Sequence, residues 1–256
     1  MFQSNQSFVA KTSLAIMSAV VGFAQPAAAV GAQPVLMVIA NQDFYWVEYA
    51  ETRQSLEAAG LEVIVAAANS DPAIPQGRYL LPAVQPDTVI ADVDPARYAA
   101  IVFSGGWGAS MYQSDFPGTY ANFEYNASPR LARETRRVIG GFVQSGKPVA
   151  AISHGVSVLA YARVDGQSLL EGRVVVADPG GIPGFKVANQ VYLDAEIPTR
   201  WHIESNGATM LTANSIGDPH TSTDDVWVDG NIITAQDWGS TSLFAEEIVK
   251  AVRSSQ

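Results

Sequence analysis

The stretch AAISHG, residues 150–155, ends an apolar run with a hydroxyl and an imidazole side by side, Ser153 and His154. A side chain on a sharp strand-to-helix turn is held exposed, and the surrounding backbone amides point at one spot. That is the layout of nucleophilic acyl transfer. The stretch lacks the first glycine of G-x-S-x-G, so position and context carry the reading more than the motif does. A serine hydroxyl is essentially un-ionised at neutral pH and must give its proton to a base as it attacks. Well-placed help of this kind is worth roughly 10²–10⁴-fold. The imidazole of His154 has a suitable pKa, but adjacent residues on such a turn often point apart. A second strand end, VFSGGWG at 102–108, brings Gly105, Gly106, Trp107 and Gly108 together. It superficially resembles a phosphate loop but lacks the lysine and the spacing of one.

Composition removes other chemistries. The chain has no cysteine, which excludes thiol nucleophiles, disulfides and thiolate metal sites. Its net charge of −10 argues against a nucleic-acid partner. The one basic cluster, Arg130, Arg133, Arg136 and Arg137, follows a single helix and reads as a solvated face. No His-x-x-x-His or His-x-x-Glu-His spacing exists, so neither a metal nor another cofactor is expected. His202 and His220 stand without partner spacing and are expected to fill ordinary packing or surface roles.

The elements that must hold the two strand ends alternate along the chain. PVLMVIA at 34–40 is a continuous apolar run, as in a parallel strand buried on both faces. A helix over 43–60 closes at Gly60, and LEVIVAAA at 61–68 is the next strand, which completes a right-handed βαβ unit. Prolines make 69–97 an irregular excursion with at most short strands. A strand then runs into Gly105-Gly106, followed by an aromatic-rich loop at 109–129 that reads as loop packing or a substrate-binding rim. The next helix carries Leu131, Val138, Ile139 and Phe142 on one face. GRVVVADP is expected as a further strand, and 179–225 as a loop-rich insertion. DDVWVDGNIITAQD reads as a hairpin turning at Asp229-Gly230, before a final helix. The pattern predicts an α/β fold, a doubly wound, flavodoxin-like, mostly parallel sheet with helices on both faces.

Before this domain, Lys11, the apolar stretch Leu14–Ala24 and small residues at Ala27 and Ala29 have the layout of a cleavable signal peptide over 1–29. That predicts a single mature domain over 30–256 in the periplasm or outside the cell, with no membrane anchor after cleavage.

Five blocks, VLMVIA with the helix that follows, YAAIVFSGGWGA, GKPVAAISHGVSVLA, LLEGRVVV and VDGNIITAQDWGSTSLFAEEIVKAV, resemble successive blocks of the ThiJ/PfpI family in order. That family belongs to the class I glutamine amidotransferase-like superfamily. The resemblance implies that Ser153 occupies the position of the family's nucleophilic cysteine and His154 that of the histidine after it. It places on Glu48 the acidic residue that contacts the nucleophile. It makes Ser104-Gly105-Gly106 the oxyanion loop, with the amides of Gly106 and His154 facing one oxygen and Trp107 beside them. Asp178 falls where the family has histidine or tyrosine, and would orient a histidine or reject an anion. A homodimer is implied by the resemblance alone. With serine in place of cysteine, the family's thiol chemistries are not expected. Two functions stay open. One is a hydrolase or lyase (hydratase) of small carbonyl, amide or nitrile-like substrates, acting through a Ser153–His154–Glu48 pocket. The other is a catalytically inactive periplasmic protein that binds a small ligand on the same scaffold.

Overall fold

The computed structural model describes residues 33–77, 80–187, 190–211 and 225–255, without the side chains of 181–197. The expected leader at 1–29 and His220 lie outside the described residues. The central strands are β1 (Val35–Val38), β2 (Val63–Ala67), β3 (Thr88–Val89), β4 (Ala100–Phe103) and β5 (Val149–Ile152). A hairpin, β6 (Gly181–Val187) and β7 (Gln190–Pro198), stands apart from them. The last pair, β8 (Val226–Asp229) and β9 (Ile232–Ala235), returns to the central sheet.

The seven-stranded sheet has the order β8-β9-β5-β4-β1-β2-β3. Every neighbouring pair is parallel except β8–β9. All residues of β1, β4, β5 and β9 are buried, which explains why their sequences are apolar but for Thr234 in β9. The main helices are α1 (Trp46–Ala58), α2 (Pro129–Gln144), α3 (Val156–Tyr161), α4 (Thr199–Glu204) and α5 (Thr241–Ser254). The helices α1 and α5 pack together, while α2 packs separately on β4 and β5, so both faces of the sheet are covered. Helix α2 starts on Ser128, whose hydroxyl accepts from the Leu131 amide at 3.1 Å, with Pro129 in its first turn. It buries Leu131, Val138, Ile139 and Phe142, as their spacing predicts.

Three local expectations are corrected. The first helix starts at Trp46 rather than Asp43, because Asp43 has φ 58° and Gln42–Phe44 pairs as a short strand with Ile74–Pro75. In GRVVVADP only Val174–Val175 is a strand, and it pairs with Thr209–Met210 outside the central sheet. The loop-rich reading of 179–225 fails over 181–204, which forms the β6–β7 hairpin and then α4. Glycine and proline at its start hide the strand signal, and its partners lie within the insertion itself and at Thr119–Tyr120.

The two strand ends meet at close quarters. A Cβ on Gly155 would lie 2.7 Å from the Phe103 carbonyl oxygen and 2.9 Å from that of Ser104. The turn after β5 therefore packs backbone to backbone on the end of β4. Gly155→Ala should lower the urea midpoint by an amount equal to about 1–3 kcal/mol, the usual cost of overpacking a rigid contact.

Candidate active site

Ser153 is the first residue after β5 and sits at φ 57°, a left-handed conformation that costs a non-glycine residue about 1–3 kcal/mol. The serine is 4 % exposed. The loop after β4 is stitched to the start of α1: the Tyr45 amide donates to the Gly105 carbonyl at 3.1 Å. Gly106, at φ 93°, has no room for a Cβ, which would fall 2.5 Å from the Asp43 carbonyl oxygen and the Tyr45 nitrogen. This close approach brings the first turn of α1, and with it Glu48, over the end of β5. A Cβ on Gly105 would strike the Glu48 carboxylate and would lie 2.9 Å from Ser153 Oγ. The bare glycine thus leaves the space into which the acid and the serine both project.

Glu48 is 3 % exposed, and its Oε2 has no hydrogen-bond partner meeting normal geometry. Burial pushes its pKa up to about 8. The nearby Ser153 hydroxyl and Gly105 backbone pull it down, while Asp178 and Asp237 push it up. An ordinary surface carboxylate would be too weak a base for an alcohol. One held near this value is matched to proton transfer close to neutral pH.

His154 faces elsewhere. Its Nδ1 lies 2.9 Å from Thr199 Oγ1 and its Nε2 lies 2.9 Å from Ser110 Oγ. The Thr199 hydroxyl donates to the Gly180 carbonyl at 3.0 Å, so Thr199 accepts from His154, which fixes the proton on Nδ1 and leaves Nε2 to accept from Ser110. Burial pushes the pKa of His154 down to about 3. It is a neutral imidazole with both nitrogens engaged by groups other than Ser153. Beside it, His202 is fully buried. Tyr120 donates to Gln113 Oε1 at 2.8 Å and so accepts from His202 Nε2 at 3.0 Å, while Tyr161 lies 2.9 Å from Nδ1. His202 packs as an interior residue, and burial, aided by His154, holds its pKa well below the usual range. Ser110, Gln113, Thr199 and Tyr120 carry no spacing signal in the sequence, because they reach this network from segments far apart along the chain.

Ser153, His154, Glu48, Gly106, Trp107 and Asp178 line one cavity of about 290 Å³. Gly105 stands behind it. Tyr45, Gln76, Asp237 and Trp238 complete the lining and were not foreseen. Asp178 accepts from the Gly180 amide at 2.9 Å and Asp237 from the Gly239 amide at 2.7 Å. The pKa of Asp178 is raised, by burial and by Asp237. A larger groove of about 650 Å³ runs between Val89–Ala91 and the start of α2, but the strained serine and the buried acid lie in the smaller cavity. Among the described residues no cluster of three or more histidine, aspartate or glutamate side chains is placed to hold a metal. No helix among them is long and apolar enough to cross a membrane.

A mostly parallel sheet with the acid over a left-handed elbow defines a class, and the comparisons name it. The DJ-1/PfpI family pattern matches residues 33–251, and the chain belongs to that family. An uncharacterized protein of Methanocaldococcus jannaschii is 27% identical over 222 residues, 85% of this chain and 82% of that one. One from Archaeoglobus fulgidus is 24% identical over 221 residues, 85% of this chain and 98% of that one. Among solved structures, the ThiJ/PfpI domain protein from Brachyspira murdochii matches with a TM-score of 0.61 at 23% identity, covering 86% of this chain and 96% of that one.

The raised pKa of Glu48 has a stability consequence. The folded state keeps this proton up to about pH 8, whereas the unfolded chain loses it in the ordinary carboxylate range. Stability therefore falls as pH rises between those two points. Glu48→Gln should raise the melting temperature. The gain should be small at pH 5 and largest near pH 8, where it reaches on the order of a few kcal/mol. A melting series over that range checks it.

Proposed function

We propose that this protein is a serine hydrolase of small carbonyl or amide substrates in which Ser153 is the nucleophile and Glu48 the base. The observation that carries this reading is the pairing of a left-handed, buried serine with a buried carboxyl of raised pKa in the space left by Gly105. Ser153 Oγ adds to the substrate carbonyl carbon as its proton passes to Glu48. The Gly106 and His154 amides take the developing oxyanion, an interaction whose removal typically costs ~10²–10³ in rate. Collapse breaks the carbonyl–nitrogen bond, and the leaving amine collects the proton from Glu48. Water, deprotonated by Glu48, then adds to the acyl-serine, and the acid departs as Ser153 regains its proton. His154 serves here through its backbone amide and as an anchor of the turn.

The competing reading is a ligand-binding protein without turnover. It is favoured by one observation: both ring nitrogens of His154 are taken by Ser110 and Thr199, so the imidazole offers Ser153 no base. A fluorophosphonate probe separates the two. Labelling of Ser153 that disappears in Ser153→Ala supports the hydrolase, and an unlabelled native protein supports the binder. For any substrate turned over, kcat/KM should rise about tenfold per pH unit and level off above about pH 8. The groups facing Glu48 are Tyr45, Asp178 and Asp237. Tyr45 stays protonated in that range, its own pKa being raised by burial and by the three acids. Asp178 and Asp237 push the inflection up.

Export is part of this proposal and rests on the leader-like layout of residues 1–29. The protein recovered from the periplasm or medium should begin near Val30 on N-terminal sequencing; recovery of the full chain from the cytoplasm would remove this element. Pairing into a homodimer is also proposed, and the mass in solution measures it.

A further inference from the structure

The two aspartates at the cavity bring charge of one sign, while Glu48 beside them keeps its proton up to about pH 8. Glu48, Asp178 and Asp237 line it, and no lysine or arginine among the described residues does. The Glu48 Oε2 atom inside is buried and, beside the Ser153 hydroxyl and Gly105 backbone that lower its pKa, has no partner of normal hydrogen-bond geometry, so a polar group of a ligand can complete its bonding. Three more lining residues are aromatic, Tyr45, Trp107 and Trp238, with the two tryptophans 42 % and 55 % exposed. A cleft lined by one sign of charge concentrates the opposite ion, and the faces of aromatic rings attract cations. At roughly 30 Å³ per water molecule, the cavity holds about ten waters' volume, which limits the ligand to a small molecule.

We propose that this pocket selects substrates bearing a small organic cation, an ammonium or guanidinium group, held by Asp178, Asp237 and the rings of Trp107 and Trp238. The proposal deepens the hydrolase reading, since it names what the same pocket recognises, but recognition does not require turnover. Anions are rejected by Asp178 and Asp237. Asp178 and Asp237 are already oriented by backbone amides, Gly180 and Gly239, so their carboxylates are held in place before a ligand arrives.

The test is calorimetric binding to the folded chain and to Ser153→Ala, with n-butylammonium and choline as probes. Their neutral counterparts of like shape are 1-butanol and 3,3-dimethylbutan-1-ol, and butyrate is the anion. At least one cation should bind about tenfold or more tighter than its neutral counterpart, with butyrate weakest. Asp178→Asn and Asp237→Asn should each reduce that preference by about three- to tenfold. Asparagine keeps the oxygen that accepts from Gly180 or Gly239, so both variants should fold, which circular dichroism checks. Neutral compounds or butyrate binding as well as the cations, a preference unchanged in both variants, or no measurable binding of either cation would each overturn the proposal. Because Ser153→Ala carries the same measurement, failure of the nucleophile leaves this result standing, and failure here leaves the fluorophosphonate result standing.

Discussion

Everything at this site turns on a carboxyl group buried against a serine without a partner to neutralise it. Removing a polar group from water without a hydrogen bond costs on the order of 1–3 kcal/mol in proteins, so Glu48 must be held in position by the rest of the structure. The holding is visible. Tyr45 is tied to Gly105, the Gly106 backbone lies against Asp43–Tyr45, and Gly155 presses on the carbonyls that end β4. Each contact is one that a side chain at the glycine would block. The parallel sheet supplies the remaining order, because β4 and β5 are neighbours in register and their carboxyl ends arrive side by side.

The insertion has a structural part in this. Its helix α4 brings Thr199 to His154 and His202 to Tyr120 and Tyr161, so the turn carrying Ser153 is anchored from behind by a closed chain of hydroxyls and neutral rings. The hydroxyl of each Tyr or Thr in that chain has a defined acceptor or donor, which is what makes two uncharged buried histidines tolerable. A neutral imidazole bound on both sides orients the backbone that follows Ser153. On the proposed reading, the burden of accepting a proton falls on Glu48.

The sheet was legible in the sequence because strands buried on both faces write themselves as apolar runs, unbroken in β1, β4 and β5 and interrupted only by Thr234 in β9. The pocket's outline was legible at Ser153, Gly106 and Glu48, the first two from strand ends and the last from the family register. The insertion was not. Among the described residues the hairpin β6–β7 pairs with itself and with Thr119–Tyr120, outside the central sheet, and its sequences GIPGFKV and QVYLDAEIP form no unbroken apolar run. The orientation of His154 was equally hidden: the groups that claim its nitrogens come from Ser110 and Thr199, 44 and 45 residues away. Asp237 and Trp238 follow the last strand of the sheet, a third carboxyl end at the same edge of the fold, and the rule that ligands gather at such ends could have found them.

Burial acts on the acid and the imidazoles in opposite numerical directions but to the same end. Glu48 is pushed up to about 8 and His154 down to about 3, so between those values both remain largely uncharged. Only about a tenth of such a base is ionised at pH 7, and whatever stabilises its carboxylate raises that share. An opposite charge nearby does that, lowering an acid's pKa by 1–3 units when it comes within about 4–6 Å. On the proposed reading the substrate brings that charge. A cationic group held near Asp178 and Asp237 offsets the two charges that raise Glu48 and adds an attraction for its carboxylate. The base would then ionise when the pocket is filled, and water alone would meet a protonated Glu48 and an unactivated serine. Burial first, and then these acids, keep the centre of the site neutral, and the acids would make it responsive to the one class of ligand they attract.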